Sequence, residues 1–500
     1  MTARPVVRVA DPPPGRRVPS ARTGVGLLAA GACLAWTPFL AHTLSPDEAG
    51  FLMVAGQWQP GDSLYGDYWV DRPPGLVALF ALADLAGGDW AVRALGLLAV
   101  ATSVLLAGLL GRIVAPHSER AALLPAASAA LLLATPLTGS GGVNGELLGL
   151  PFLLAGFAAI LLARSAPTPG RAVAWAGAAG VAGAAAALIK QSLVDVFVLA
   201  AVVLVADLVT GHRSRARVAA VAASGVAGAL ALTGAVVLLA YSRGTGPGAL
   251  WDAVVGFRGE ATRVILESAT DATRDRLARV LLALVGTGMP LLAVALARLG
   301  RHSGRGAGLR RAAYALLAWE LLVVVSGGSY WLHYLVGLVP GIVLLAAAAG
   351  SGLDAPGRTL PVLRTAFALA VASLLVAVAS ATLAPFERPE DRASAWISDH
   401  ARPGETGVVA FGAPNILHAA GLTSPYPDLW SLPVRVRDPQ LDRLGAVLTG
   451  PDRPDWLIVY GRSLDTWGID GRHADALVEE YYTPVATTGT FVIHRRRDRP

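Results

Sequence analysis

Blocks of 17–24 uncharged, mostly apolar residues recur along this 500-residue chain. Each is long enough to cross ~30 Å of hydrocarbon as a helix. Composition supports that reading: 54% of residues are hydrophobic and 15% charged, against roughly 25% charged in soluble chains. The chain is therefore read as an integral membrane protein, mainly α. The single cysteine, Cys33, lies inside the first block, so no disulfide framework or thiolate metal cluster is expected.

Eleven spans are predicted, near 24–44, 91–114, 121–138, 147–164, 173–189, 193–210, 218–241, 279–298, 312–326, 333–350 and 365–384. The net charge of +6 could suggest nucleic acid, but the arginines fall in a membrane pattern instead. With residues 1–23 cytoplasmic as a basic tail, the connections on that side carry 19 arginines and the opposite connections seven basic residues. This asymmetry predicts an extracytoplasmic C-terminus. The first span is too long for the 7–15-residue apolar core of a cleaved signal peptide and reads as retained.

Three regions then lie outside: 45–90, 242–278 and 385–500. The first is a loop with short helices expected at 47–58 and 76–86. The second reads, over 248–278, as one amphipathic surface helix. The third alternates helix and strand signals and predicts a small α/β domain following a membrane domain at 24–384. No internal repeat is visible.

The candidate chemistry clusters on that outer side. Asp47 and Glu48 stand just past the first span, where they are either helix-start acids or working carboxylates. The same loop carries "YGDYWVDRPPG", with Asp67, Asp71 and Arg72. Prolines stiffen the backbone beside Arg72, which could fork onto a phosphate or anchor to headgroups. Trp58, Tyr65, Tyr68 and Trp69 could line a sugar or lie in the headgroup belt. Lys190, the one lysine beside forty arginines, falls in a tight outer turn. It could hold a phosphate or pair with Asp195. His333 and Tyr334, Glu146 at the start of span four, and Arg258 and Arg263 complete the set. A carboxylate that takes a proton, facing cations that steady a departing phosphate, suits group transfer from a lipid phosphate.

The stretch "SPDEAGFLMVAGQW…GDSLYGDYWVDRPPG" resembles the first external loop of the GT-C glycosyltransferases. It is most similar to the branch of protein O-mannosyltransferases and the lipid A aminoarabinose transferase. The shared pattern is Asp47-Glu48, Gly61 to Tyr65, Arg72-Pro73-Pro74, and Arg93 opening span two. The resemblance implies a polyprenyl-phosphate donor of a hexose or pentose and an extracytoplasmic acceptor hydroxyl. By it, Asp47 is the base and Glu48 its helper or a sugar contact. Arg72 and Lys190 contact donor phosphate, with Tyr334 near it and Asp71 beside Arg72. His333 and Arg258 are added to the phosphate side, and Tyr65 and Glu146 to the substrate side. Several members carry an Asp at the start of span four, where this chain has Asn144 and Glu146. The branch generally needs no metal or other cofactor, although oligosaccharyl-transferring cousins use a divalent ion, so a weak metal site stays open.

Two rivals remain at this level. A secondary transporter or flippase would place polar groups near the midplane, whereas here they gather on one face. An inactive scaffold could use Tyr426 and Trp430 to bind glycan.

Overall fold

The computed structural model describes residues 20–139, 141–267, 271–301, 307–350, 359–383 and 388–497. The boundary placed at 385 and most of the N-terminal tail lie outside them. Each predicted span falls on a helix or a bent helix pair. The first is α1 (Ala21–Leu40). The loop that follows contains α2 (Pro46–Gly56) and α3 (Pro74–Leu85). Then come α4 (Asp89–Val114), α5 (Glu119–Ala134), α6 (Gly145–Ser165), α7 (Pro169–Ile189), α8 (Asp195–Val209) and α9 (Arg215–Ser242).

The segment after α9 is not one amphipathic helix. It breaks into α10 (Pro247–Trp251), a π turn at Asp252–Gly256 and α11 (Phe257–Glu267). The next span is α12 (Asp271–Gly286) and α13 (Met289–Arg301), bent by 46°. The bend has a local cause: Gly288 takes φ +69°, a left-handed conformation that ends the first helix. The bundle closes with α14 (Ala307–Ser326), a 3₁₀ stretch Leu332–Leu338 running into α15 (Val339–Gly350), and α16 (Thr359–Leu383).

Among the described residues, seven helices, or eight counting the bent pair, are long and apolar enough to cross a membrane. The eleven-span reading therefore outruns that test. At 1.5 Å per residue α5 and α8 reach only about 23 Å, and α14 carries Arg310, Arg311 and Glu320.

Small residues set the spacing of the bundle. A Cβ on Gly180 of α7 would collide with the Gly225 carbonyl of α9, so this pair needs glycine for close backbone approach. Trp36 on α1 donates its indole N–H to the Leu133 carbonyl on α5 at 3.0 Å, satisfying a buried donor. Glu320 of α14 accepts the Gly341 backbone N–H at 2.7 Å and lies beside Asp195. Asp195 is thus not the partner of Lys190, the alternative the sequence left open.

The C-terminal region begins with α17 (Pro389–His400) and contains a four-stranded mixed sheet. Strands β1 (Gly407–Ala410) and β2 (Trp456–Tyr460) are parallel. Strand β4 (Phe491–Arg496) is antiparallel to β2 and to β3 (Tyr482–Thr488), giving the order β1-β2-β4-β3. Helices α18 (Asn415–Ala419), α19 (Ser431–Arg437), α20 (Asp442–Thr449) and α21 (Arg472–Tyr481) fill the connections. The alternating helix and strand signals of this region correspond to α17, β1, α20, β2, α21 and β4, while α18, α19 and β3 carry no such signal. Pro484 makes β3 a poor strand by composition, and the structure puts it at the sheet edge, where a missing N–H is tolerated.

This α/β unit docks onto the loop that carries α2 and α3. Arg388 donates to the carbonyls of Leu44 (3.2 Å) and Thr43 (3.0 Å), and Thr43 meets Asp391 at 2.5 Å. Trp69 N–H donates to the Pro427 carbonyl at 3.0 Å, and Ser424 N–H to the Tyr68 hydroxyl at 2.9 Å.

Candidate active site

The site is organised by the start of α2. Ser45 is the N-cap, Pro46 the first helical residue, and Ser45 and Glu48 form a reciprocal capping box. Asp47 is thereby released from capping. It sits half-buried at the positive end of the helix, and its Oδ1 accepts the Trp430 indole N–H at 3.0 Å. The ring of Trp430 lies so close to Gly50 that a Cβ there would strike it, and it packs against Phe51 at 5.4 Å between centroids. The C-terminal unit therefore reaches into the site and fixes one oxygen of its leading carboxylate.

Glu48 faces a different set of partners and is fully buried. Its Oε1 receives Arg93 Nη1 at 2.5 Å and the Val143 N–H at 2.7 Å, while Oε2 receives the Ser45 N–H at 2.8 Å. Arg93 also donates to the carbonyls of His42 and Thr43, each at 3.2 Å. Glu48 and Arg93 together tie α2, α4, the end of α1 and the approach to α6. No face of Glu48 remains for a sugar, so its expected role as helper or substrate contact is replaced by bracing.

The cations form a second cluster. Asp71 is nearly buried between Arg72, at 2.6 Å, and Arg258 of α11, which holds its other oxygen. Burial pulls both guanidinium pKa values down. For Arg72, Asp71 and Asp47 outweigh that effect and hold it above the ordinary value. For Arg258 the opposing pull of Asp71 is not enough, and Arg72 lowers it further. Two arginines thus share one carboxylate, an arrangement that retains positive charge for an anion.

Lys190 follows α7 and pairs with Glu146 at the start of α6, with its ammonium 4.8 Å from the ring centre of Tyr334. His333 Nε2 stands 3.9 Å from Glu146 Oε1, and its ring meets Tyr334 edge-on at 5.2 Å. Arg72 lies in electrostatic reach of Asp47, Tyr334 and Glu146, and His333 in reach of Asp47, Lys190 and Arg72. Asp47, Arg72, Lys190, Glu146, His333, Tyr334, Asp71 and Arg258 therefore form one cluster. Asn144 caps α6, accepting the Leu147 N–H at 3.0 Å. Arg263 is exposed.

Three of the four loop aromatics are struts. Tyr65 is fully buried and donates its hydroxyl to the Arg72 carbonyl at 2.8 Å, setting the loop that presents Arg72. A substrate contact for Tyr65 does not fit that burial. Tyr68 is buried too, and Trp58 donates to the Thr245 hydroxyl at 3.2 Å. Only Trp69 stays half-exposed. It lines a cavity of about 390 Å³ with Asp62, Asp252, Asp428, Arg437 and Arg443. Asp428 is two residues from Trp430, so one short segment borders both this cavity and Asp47. Burial pushes the Asp428 carboxyl up to about 6 despite Arg443 at 3.1 Å. Among the described residues no group of three His, Cys, Asp or Glu is placed to hold a metal ion.

The sequence offers Trp430 as a glycan-binding aromatic, and nothing local in it joins that ring to a carboxylate 383 positions away.

The fold is that of a polytopic, mainly α membrane protein with a small α/β unit at its end. No family model matches the chain, and no curated protein does. Among solved structures it is similar to ArnT from Cupriavidus metallidurans bound to undecaprenyl phosphate. The TM-score is 0.60 at 15% identity, over 95% of this chain and 98% of that one. It is also similar to the oligosaccharyltransferase AglB from Archaeoglobus fulgidus, in complex with an inhibitory peptide and a dolichol-phosphate. There the TM-score is 0.50 at 14% identity, over 96% of this chain and 75% of that one. Mycobacterial arabinofuranosyltransferase AftD matches with a TM-score of 0.50 at 18% identity, covering 95% of this chain and 41% of AftD.

Proposed function

We propose that this protein is a membrane glycosyltransferase that moves a sugar from a polyprenyl-phosphate carrier to an acceptor hydroxyl outside the cytoplasm. The observation that carries the reading is the pairing of Asp47, held by Trp430, with the Arg72–Asp71–Arg258 cluster in electrostatic reach. Similar folds hold undecaprenyl phosphate in ArnT and dolichol-phosphate in AglB, which supports a lipid-phosphate donor.

In this reading the lipid phosphate sits against Arg72, Arg258 and Lys190, with Tyr334 beside it. Asp71 and Glu146 occupy those cations when no phosphate is there, and yield to it by charge competition. The acceptor comes over the cavity bordered by Trp69 and Asp428. The carboxylate of Asp47 takes the proton of its hydroxyl, the oxygen bonds to the anomeric carbon, and the bond to phosphate breaks. The electron pair leaves on the phosphate, where the cations stabilise it. Attack opposite the leaving group inverts the anomeric centre. The chain's own residues suffice for these steps, so we propose no metal or other cofactor. Arginine asymmetry supports an outward-facing site and a cytoplasmic N-terminus.

The test is release of polyprenyl phosphate from labelled polyprenyl-phosphate sugars by the purified protein in nanodiscs with acceptor extracts. Release dependent on Asp47 supports the reading. Vesicle uptake of a solute without any release would favour transport instead.

A further inference from the structure

A charged crevice lies toward the other end of the helices that carry the cluster just described. Helix α6 starts beside Glu146 and ends at Ser165, so Arg164 lies about 27 Å along the helix from Glu146 at 1.5 Å per residue. There, between α6, α7, α8 and α9, runs a crevice of about 350 Å³. Its walls are small and apolar, among them Ala176, Ala179, Val196, Ala200 and Ala229. Val226 and Leu230 line it while remaining largely exposed, so it opens sideways where lipid chains would lie.

The end of this crevice is charged. Arg164, Arg213 and Arg217 all line it, together with the buried Asp207. Asp207 takes Arg164 at 3.0 Å and Arg213 at 3.6 Å. Arg217 donates one Nη to the Ala166 carbonyl at 3.4 Å, and its buried Nε has no partner. Three guanidiniums against one carboxylate leave an excess of two positive charges above an apolar slot. Ordinary interfacial arginines reach outward to headgroups. These are folded over a crevice and partly buried, which confines an anion to one place.

We propose that this crevice binds one anionic glycerophospholipid, its phosphate at Arg213 and Arg217 and an acyl chain in the slot between α8 and α9. The match is of charge and shape: a basic pocket between membrane helices with an apolar floor suits an acidic headgroup and its tail. The bound lipid would close the gap that α8 leaves against α9. The site is independent of the transferase reading, because none of its residues belongs to the outer cluster.

The test is native mass spectrometry of the full-length protein released from mixed detergent micelles with equal phosphatidylglycerol and phosphatidylcholine of the same chains. Wild type should retain phosphatidylglycerol over phosphatidylcholine by about tenfold. The double variant Arg213→Gln/Arg217→Gln should lose that preference. Val226→Trp, which fills the slot and leaves the arginines, should lower retention of phosphatidylglycerol severalfold. Equal retention of both lipids by wild type would overturn the proposal, since only a general lipid shell would then be present. So would unchanged retention in Val226→Trp, or a lipid-free dimer in which a second copy covers the crevice. If the arginine variant does not fold, the wild-type preference and Val226→Trp decide the matter alone.

Discussion

Trp430 donates its indole N–H to Asp47 Oδ1 at 3.0 Å, joining residues 383 positions apart. The contact makes the C-terminal unit part of the site rather than a cover over it. Trp430→Phe keeps the ring over Gly50 and removes the donor. One neutral hydrogen bond to a carboxylate is worth about 1.5–3 kcal/mol, so turnover should fall roughly 10- to 100-fold. Steady-state assays should show the loss in kcat, with KM for the lipid donor near that of wild type. A change confined to KM would mean that Trp430 binds donor instead.

Glu48 and Arg93 are the brace behind that contact. Both are buried, and removing one partner of a buried pair strands the other charge, at a cost of about 3–5 kcal/mol. Arg93→Ala should lower the thermal unfolding midpoint in detergent clearly, and lower activity only in proportion to folded protein. An intact midpoint with lost turnover would put the pair in the chemistry.

The shared carboxylate of Asp71 makes a different prediction for the two arginines that flank it. Arg72→Ala and Arg258→Ala should each weaken donor binding about tenfold or more, given charge-assisted hydrogen bonds of ~1.5–3 kcal/mol. Calorimetric titration with polyprenyl phosphate measures this. The Lys190→Met variant should behave likewise while leaving buried Glu146 with His333 alone beside it, so its unfolding midpoint should fall as well.

Asp428 should print its signature on stability against pH. Its carboxyl is raised to about 6 in the folded protein, above the ordinary carboxylate range. The folded state therefore holds this proton more tightly than the unfolded chain. That contribution is fully present below about pH 4 and is lost as pH rises through 6. Asp428→Asn should flatten the decline between those limits, so that the two proteins differ most above pH 6. Melting curves at stepped pH check it, and parallel curves would contradict it.

Much of this was legible in the sequence because the strongest signals are local. Uncharged blocks located the helices, and Pro46, Asp47 and Glu48 marked the start of α2. The stiff "DRPPG" turn and the solitary Lys190 pointed to the cation cluster. What could not be read was pairing across the chain. The partner of Lys190 is Glu146 and not the nearby Asp195, because α6 and α7 bring their outer ends together while Asp195 turns to Glu320. The roles of Glu48 and Tyr65 depend on burial, which a loop sequence does not display. The bent span at Thr287–Gly288 shows in a backbone angle, and β3 was hidden by a proline that only a sheet edge accepts.

The central claim is that Asp47 takes the acceptor proton beside a lipid phosphate. Its most direct measurement is release of polyprenyl phosphate from a panel of labelled polyprenyl-phosphate sugars by wild type and Asp47→Asn in nanodiscs. The account predicts release by wild type from at least one donor, and a loss of about 10²–10⁴-fold in the variant with donor binding retained. Near-equal release by the two proteins would contradict it.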